Sequence, residues 1–351
     1  MLEWYDRHAR TMPWRVGPVA RTEGVMPDPY RVWLSEVMLQ QTTVAAAIPY
    51  FERFVQHFPT LESLAAAHSD EVMRLWQGLG YYARARNLHA CAQRILAEHG
   101  GQMPQSRSAL EALPGIGRST AAAICAQAWG QKEAILDANV KRVLVRHLGM
   151  REWPGSSAAH NTLWAAAEDR LPSTQLADYT QGLMDLGASV CTARQPQCAM
   201  CPVAADCQAQ KLGIAESLPA RKPGRKKPKP RRHCELWLLR QADGALWLQK
   251  RPDEGIWGGL WCPPHSPFAD QPGKSESSNV GTKLPALKHV FTHFELLIQP
   301  LLLDSGGVQD GDVHSAVQVD TQAPGMWVSP EEMHRYGLPT PVRKILATLP
   351  A

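Results

Sequence analysis

The sequence predicts a multi-domain protein, with an all-α region of about 215 residues followed by a smaller α+β domain. Apolar residues recur at helical spacing through the first part, whereas runs typical of β-strands begin after residue 232. Between the two, residues 221–232 include eight basic residues and no acidic one, and three prolines exclude a helix. This basic segment is therefore interpreted as a linker.

Composition limits the class of protein. The chain has 351 residues, of which 44% are hydrophobic, so it is long enough for two or three domains with their own cores. It has no apolar run of the length that a membrane span needs, and its charged start is unlike a secretory signal. We therefore expect a cytoplasmic protein without membrane association, in which clustered cysteines bind metal. The net charge of +4 favours nucleic acid as a partner only weakly.

Four segments of the first region show the period of an amphipathic helix, and proline and glycine separate them. These are residues 32–48, 61–76, 88–96 and 120–129. Beyond the linker, residues 235–239 and 245–248 flank Asp243-Gly244, a pair typical of a tight β-hairpin. A further strand is predicted over residues 290–298, and a last helix carries Val342 and Ile345 on one face.

The spacing of four cysteines is the strongest local signal. Cys191, Cys198, Cys201 and Cys207 follow the pattern Cys-x6-Cys-x2-Cys-x5-Cys within seventeen residues. Four thiolates so close in sequence can surround one metal centre, and they are too crowded for separate disulfides. From the spacing alone, a structural zinc ion or a local disulfide pair is an alternative to an iron–sulfur cluster.

A glycine-containing turn lies between two helical segments. Residues 113–120 read Leu-Pro-Gly-Ile-Gly-Arg-Ser-Thr, so Gly115 and Gly117 allow a tight turn that exposes backbone N–H groups at the start of the next helix. Such groups can hold one DNA phosphate without reading the base sequence. An ordinary connector between two helices explains the glycines equally well.

Two carboxylates are candidates for chemistry. Glu36 interrupts an apolar helix, so it is paired, lies at an exposed edge, or is partly desolvated with a raised pKa suited to acid–base work. Asp137 precedes Ala-Asn-Val-Lys-Arg and occupies the position of a helix N-cap. The residues alone favour the ordinary interpretations, an exposed Glu36 and a capping Asp137.

Several segments together resemble the endonuclease III superfamily, the helix-hairpin-helix DNA glycosylases with an iron–sulfur cluster, and within it the MutY adenine glycosylases. Besides the turn and the cysteines, the matching segments are residues 33–42 (Trp-Leu-Ser-Glu-Val-Met-Leu-Gln-Gln-Thr), 78–84 (Gly-Leu-Gly-Tyr-Tyr-Ala-Arg), 135–142 (Ile-Leu-Asp-Ala-Asn-Val-Lys-Arg) and 184–187 (Met-Asp-Leu-Gly). The resemblance covers nearly the whole chain. It implies a DNA N-glycosylase of base excision repair that flips out adenine mispaired with 8-oxoguanine or guanine and hydrolyses its glycosidic bond.

The resemblance implies roles for three residues at the chemical step. Glu36 matches the acid that protonates the departing adenine and then helps to activate water, and Asp137 matches the carboxylate that stabilises the sugar cation. Bifunctional members carry a Schiff-base lysine where this chain has Ser119. A hydroxyl cannot form an imine, so the resemblance implies a monofunctional enzyme that leaves the abasic site uncut.

The resemblance also implies which helical-region residues contact the substrate. Gln41 and Tyr81 match side chains inserted beside the lesion pair, with Thr42 and Leu79 nearby. A tyrosine in a helical domain is otherwise more often a core residue. Gln181 matches a residue that lines the adenine pocket.

The C-terminal region resembles the Nudix-like module of the same family through Arg251-Pro252, residues 255–261 and the segment Phe291-Thr292-His293. That segment matches the loop that recognises 8-oxoguanine, and Thr292 stands where the family often has serine, so the hydroxyl is kept. The residues alone favour an ordinary sheet edge. No glutamate-rich helix follows the Gly-Gly turn, so we do not expect pyrophosphate hydrolysis.

The domain limits follow from these matches. The resemblance implies a helix-hairpin-helix glycosylase region over residues 1–215, a basic linker over 216–232 and a Nudix-like domain over 233–351. Within the first region it implies a six-helix subdomain at about 23–130 and an iron–sulfur subdomain formed by residues 1–22 and 131–215. It further implies a [4Fe-4S] cluster on the four cysteines, a double-stranded DNA substrate and a monomer associated with the nucleoid.

Two alternatives remain. One is an endonuclease III-like glycosylase for oxidised pyrimidines, and both Ser119 and the C-terminal domain count against it. The other is a non-catalytic DNA-damage or redox sensor that uses the cluster and the turn only for binding. The presence of both Glu36 and Asp137 counts against a sensor, because binding requires neither carboxylate.

Overall fold

The computed structural model describes residues 1–224, 228–271, 281–304 and 323–349. Contacts group the chain into two compact units, one formed by Met1–Ala66 and Ala90–Arg225 and the other by Ala67–His89 and Lys226–Ala351. The first unit is helical, and the second contains a β-sheet, which confirms the predicted succession of fold classes. Among the described residues, no helix has both the length and the apolar character needed to cross a membrane.

The α-helices are, in chain order, α1 (Leu2–His8), α2 (Pro18–Thr22), α3 (Pro29–Leu39), α4 (Val44–His57), α5 (Leu61–Ala66), α6 (Ser69–Trp76), α7 (Ala83–His99), α8 (Arg107–Glu111), α9 (Arg118–Trp129), α10 (Ala138–Leu148), α11 (Ser157–Asp169), α12 (Leu176–Ser189), α13 (Gln208–Lys211) and α14 (Thr340–Leu346). Short 3-10 turns occur at Cys198–Met200, Ala215–Ser217 and Met333–Arg335.

The segment 32–48, which has helical periodicity throughout, forms two separate helices, α3 and α4. Helix α3 begins where the Asp28 carboxylate accepts the Tyr30 N–H, and it ends at Leu39. Gln41 then adopts a left-handed backbone with φ 58°, and the Thr43 hydroxyl caps the start of α4. The segment 61–76 is likewise two helices, α5 and α6. Apolar periodicity continues across both breaks, so it does not reveal them.

Helix α9 is central to the first unit and packs against both α3 and α12. Its residues from Ala121 to Ala128 are all buried, and the many alanines let the neighbouring helices approach closely. Helices α10 and α12 also touch. A Cβ on Gly187 would lie 2.6 Å from the Cβ of Asn139, so glycine is required where these two helices meet.

The second unit contains a mixed sheet. Its strands are β1 (Arg231–Arg240), β2 (Leu246–Lys250), β3 (Trp261–Cys262), β4 (Thr282–Lys283), β5 (Leu287–Val290), β6 (Glu295–Asp304) and β7 (Gly325–Val328). Within the described residues, the order is β3-β2-β1-β6-β4, with β5 also paired to β6 and β7 to β2. Strands β1 and β6 are parallel over ten residue pairs, and the other pairings are antiparallel.

The hairpin predicted at Asp243-Gly244 is confirmed, because β1 and β2 pair across it and Gly244 has φ 85°. The single strand predicted over residues 290–298 is wrong. Strand β5 ends at Val290, and the chain turns so that the Phe291 N–H donates to the Phe294 carbonyl before β6 begins. Strand β1 begins at Arg231, so the last residues of the predicted linker belong to the sheet. Residues 225–227 of that linker lie outside the described part of the chain.

Residues 67–89 belong to the second unit, although the predicted limits place them in the helical region. Polar contacts with residues distant in sequence accompany this placement. The Lys250 ammonium lies 2.8 Å from the Asp70 carboxylate, and the Leu338 N–H donates to the Gln77 side-chain oxygen at 3.2 Å. Helical periodicity carries no information about such contacts.

Candidate active site

A pocket of about 620 Å³ opens in the helical unit, and residues from the N-terminal segment and helices α3, α9, α10 and α12 line it. All three residues predicted for the chemical step, Glu36, Ser119 and Asp137, are among the lining residues. They lie far apart in sequence, and the packing of α9 on α3 and of both α9 and α10 on α12 brings them together. The pocket is therefore the candidate active site.

Glu36 lies on α3, where its Oε1 accepts a hydrogen bond from the Gln127 side-chain nitrogen at 2.7 Å. Burial raises the pKa of Glu36 to about 7; the hydrogen bond from Gln127 opposes this rise, while the charge of Asp137 adds to it and that of Arg15 reduces it. The carboxyl is therefore protonated in a substantial fraction of molecules near neutral pH. Such a group can both give and take a proton.

Asp137 is the N-cap of α10. Its Oδ1 accepts the Val140 N–H at 2.7 Å, and its Oδ2 accepts a hydrogen bond from the Asn139 side-chain nitrogen at 3.3 Å. The predicted cap is thus confirmed, and it fixes the carboxylate at the edge of the pocket. A fixed negative charge beside Glu36 can stabilise a cation that forms between the two groups.

Ser119 lies in the first turn of α9, where its hydroxyl accepts the Leu136 N–H at 3.1 Å. This bond joins the start of α9 to the residue immediately before Asp137. The turn that precedes α9 contains Gly115 with φ 76°, and Gly117 is the N-cap of the helix. Both glycines are exposed, so the backbone of the turn is accessible from solvent.

Gln41 and Thr42 lie in the break between α3 and α4. Thr42 lines the pocket, whereas Gln41 is exposed and its left-handed backbone projects it from the turn. Gln181 differs from its predicted place. It is only 2% exposed and is not among the residues that line the pocket, since its side chain bonds to Gln127 and Tyr5 instead.

The remaining predicted contacts form a cluster within the second unit. The Tyr81 hydroxyl lies 3.3 Å from the Thr292 hydroxyl, and Tyr81 is 45% exposed with a left-handed φ of 50°. Thr292 and His293 are exposed, while the Phe291 ring stacks on Phe294 with centroids 4.6 Å apart. Leu79 is buried. The structure therefore brings Tyr81 to the Phe291-Thr292-His293 segment, a contact that the sequence analysis did not predict.

The four clustered cysteines line one small pocket of the helical unit. Burial raises the pKa values of Cys198 and Cys201, and the neighbouring thiols contribute to the rise. The buried Arg146 guanidinium donates to the Cys191 sulfur at 3.2 Å. In the part of the chain that the structure describes, no three Cys, His, Asp or Glu side chains form a group that could hold a metal ion.

Sequence reasoning did not identify several residues around the pocket. Arg10 and Arg15 line it, and both form ion pairs with the buried Asp185. Burial alone would raise the pKa of Asp185, but the hydrogen bonds and charges of the two arginines lower it. Gln127 was also missed. The available signal was a lone amide in the otherwise apolar stretch from Ala121 to Trp129.

Comparison with protein families agrees with this architecture. The family described as the HhH-GPD superfamily base excision DNA repair protein matches residues 34–168, and the NUDIX domain family matches residues 235–348. Among solved structures, a thermostable thymine-DNA glycosylase superposes with a TM-score of 0.53 at 29% identity, over 60% of this chain and 93% of that chain. Fold and site thus define a helix-hairpin-helix DNA glycosylase with a C-terminal NUDIX domain.

Relatives that match nearly the whole of this chain identify the family within this class of glycosylases. The chain is 34% identical to the adenine DNA glycosylase of Buchnera aphidicola subsp. Acyrthosiphon pisum, over 99% of this chain and 95% of that protein. It is 33% identical to the adenine DNA glycosylase of Homo sapiens, over 98% of this chain and 72% of that protein. The chain belongs to the adenine DNA glycosylase family.

Proposed function

We propose that this protein is a monofunctional adenine DNA glycosylase that hydrolyses adenine mispaired with 8-oxoguanine or guanine in double-stranded DNA. One observation carries the proposal: Glu36, with a pKa raised to about 7, shares a pocket with the fixed carboxylate of Asp137. Two carboxyl groups that line one pocket, one of them with a raised pKa, are suited to cleavage of a glycosidic bond. A duplex buries its bases, so the adenine must first leave the stack.

Glu36 and Asp137 have separate roles in the proposed reaction. Glu36 gives its proton to the adenine ring, and the bond between the sugar C1′ and the base nitrogen breaks with its electron pair going to the base. Asp137 stabilises the positive charge left on the sugar. The Glu36 carboxylate then accepts a proton from a water molecule, whose oxygen bonds to C1′. The products are free adenine and an abasic site, and Glu36 regains its proton.

The proposal that the abasic site stays uncut rests on Ser119. Its hydroxyl accepts a backbone N–H bond, and it has no amine that could form a Schiff base with the opened sugar. Strand cleavage by β-elimination therefore lacks its nucleophile at this position.

We propose that Phe291, Thr292 and His293 recognise the oxidised guanine, and that Tyr81 and Gln41 are inserted beside the lesion pair. The contact between the Tyr81 and Thr292 hydroxyls, both within the second unit, supports a site shared by these two residues. Hydroxyl groups can both donate to and accept from a base, so Thr292 can distinguish 8-oxoguanine from guanine through the extra oxygen and N–H of the oxidised base. The exposed glycine turn before α9 is proposed to hold a phosphate of the same duplex.

We propose that Cys191, Cys198, Cys201 and Cys207 hold a [4Fe-4S] cluster. The donor set supports this, because four thiols face one pocket and thiolates are the preferred ligands of iron–sulfur clusters. When bound, the cluster supplies a fixed scaffold for the loop that carries it. Analysis of iron and acid-labile sulfide tests this, with about four of each expected per chain; zinc in their place would contradict it.

Single-turnover incubation with a duplex containing one adenine opposite 8-oxoguanine tests the proposed activity. Strand breaks that appear only after hot alkali are expected, because base release leaves an abasic site that alkali cleaves. Breaks without alkali would contradict the monofunctional assignment, and no breaks under either condition would contradict adenine release. A Glu36→Gln variant is the matched control.

Sedimentation of the protein, alone and with DNA, tests the proposed monomer, which would act on chromosomal DNA in the cytoplasm.

A further inference from the structure

A chain of hydrogen bonds among buried side chains leads to Glu36. The Tyr5 hydroxyl donates to the Gln181 Oε1 at 2.8 Å, the Gln181 Nε2 donates to the Gln127 Oε1 at 3.2 Å, and the Gln127 Nε2 donates to the Glu36 Oε1 at 2.7 Å. Tyr5, Gln181 and Gln127 are 0%, 2% and 3% exposed. The four residues come from α1, α12, α9 and α3, so only the folded unit assembles them.

Burial of two amide side chains is unfavourable unless their polar atoms are paired. Each of the two glutamines here both donates and accepts within the chain, which satisfies its oxygen and one of its N–H groups. Gln127 stands in an otherwise apolar stretch of α9 between Ala121 and Trp129, where a hydrophobic side chain would pack without this requirement. Burial of the Gln127 amide therefore costs free energy, and its hydrogen bond to Glu36 offsets that cost.

The ionised state of Glu36 fixes the direction of the chain. A carboxylate only accepts hydrogen bonds, so Gln127 must present its N–H to Glu36 and its oxygen to Gln181. Gln181 must then present its N–H to Gln127 and its oxygen to Tyr5. Burial raises the pKa of Tyr5 to about 12, so the phenol keeps the proton that it donates.

We propose that Gln127 is a positioning residue for the acid of this enzyme: its amide N–H, held in place by Gln181 and Tyr5, occupies Oε1 of Glu36 and assigns the transferable proton to Oε2. The inference rests on the proposed role of Glu36. Because Oε1 already accepts a hydrogen bond, the neutral acid carries its proton on the other oxygen. The bond also restricts rotation of the carboxyl group, which is otherwise a soft torsion.

The same bond stabilises the carboxylate form and so holds the pKa of Glu36 below the value that burial alone would give. The other charged groups that line the pocket are Arg10, Arg15, Asp137 and Arg142. Variants of Gln127 leave all four in place. A change in the pH dependence of such a variant therefore reports the contact between Gln127 and Glu36.

Two substitutions of Gln127 test the proposal in the full-length protein. Gln127→Met keeps the length and volume of the side chain but removes the N–H. Gln127→Glu keeps the shape and places a second carboxyl group against Glu36. The rate of adenine release from a duplex with adenine opposite 8-oxoguanine is measured under single-turnover conditions across pH, with thermal unfolding of each variant alongside. Cys125→Ala, a buried truncation two residues earlier on α9, is the matched control.

Because the acid must be protonated, the wild-type rate falls as pH rises through the pKa of Glu36. We expect this fall to move upward by about one to two pH units in Gln127→Met, the effect of losing a hydrogen bond to a charged group. We expect a move in the same direction in Gln127→Glu, since two carboxyl groups oppose each other's ionisation. The low-pH rate of Gln127→Met should fall about tenfold, because the carboxyl group is no longer held.

The control should lower the unfolding temperature without moving the pH profile. A rate that falls equally at every pH in Gln127→Met, with no move of the profile, would show a merely structural role and overturn the proposal, as would an unmoved profile in Gln127→Glu. Glu36→Gln separates this inference from the proposed function. If that variant still releases adenine, the role of Glu36 fails; if it is inactive while both Gln127 variants match the wild type, only the role of Gln127 fails.

Discussion

Replacement of Glu36 by glutamine should make the protein more stable above neutral pH while abolishing adenine release. The pKa of this carboxyl is raised from an ordinary value of 4.5 to about 7 by burial, so the folded state holds a proton that the unfolded state loses between these two pH values. Stability of the wild type therefore falls as pH rises through this window. Glutamine does not ionise, and its side-chain oxygen can still accept the hydrogen bond from Gln127.

The magnitude of the expected stabilisation follows from the pKa shift of Glu36. Each pKa unit corresponds to about 1.4 kcal/mol, so ionisation of Glu36 costs the folded state at most roughly 3–4 kcal/mol above pH 7. Glu36→Gln should recover up to this amount at a pH of about 8 and almost none of it at a pH of about 4. For a chain of this size, that corresponds to a rise of several degrees in the unfolding temperature.

Thermal and urea unfolding of both proteins at the two pH values, with adenine release measured on the same samples, tests this expectation. Glu23→Gln, which changes an exposed glutamate, is the matched control and should behave as the wild type does at both pH values. A stability difference between Glu36→Gln and wild type that is equal at both pH values would refute the raised pKa. Retained turnover would refute the assigned chemistry independently.

Three further outcomes are expected. Asp137→Asn should keep the cap on the Val140 N–H, so the unfolding temperature should change little. Because the charge is lost, the single-turnover rate should fall by a factor of about 10²–10³. A rate within tenfold of wild type would contradict this expectation. Thr292→Val should lower the preference for 8-oxoguanine over guanine opposite adenine about five- to tenfold, and Tyr81→Phe should change this preference in the same direction. An unchanged ratio of the two rates would argue against the contact between the Tyr81 and Thr292 hydroxyls. Cys198→Ser should reduce the iron and sulfide content of the purified protein and weaken its binding to duplex, and full loading with iron would count against this ligand.

The fold was largely predictable because its signals are local. The cysteine spacing, the glycine turn and the Asp-Gly hairpin each require particular residue types at short separations. The candidate site was predictable only in part. Taken alone, Glu36 and Asp137 admitted the interpretations of an exposed side chain and a helix cap, and only their joint resemblance to a family assigned them to one reaction. The cap at Asp137 is real, and it is compatible with the proposed chemistry.

The features that were missed depend on contacts between distant residues. Gln41 and Tyr81 adopt left-handed backbones although neither is glycine. The residue types at these two positions therefore did not predict the backbone conformation. Gln127 was visible as a lone amide in an apolar helix, but its partners lie 54 and 91 residues away along the chain. Periodicity describes one face of one element, and it cannot show which polar groups meet across the core.

The contribution of residues 67–89 to the second unit has a consequence for biosynthesis. Ser69 and its partner Lys250 are separated by 181 residues, and a ribosome adds roughly 5–20 residues per second. The early segment therefore waits about 10–40 seconds after its own synthesis before the strand that completes its contacts leaves the ribosome. Until then the contact with Lys250 cannot form, so we expect substitutions in this segment to affect the yield of newly made protein more than the stability of the finished enzyme.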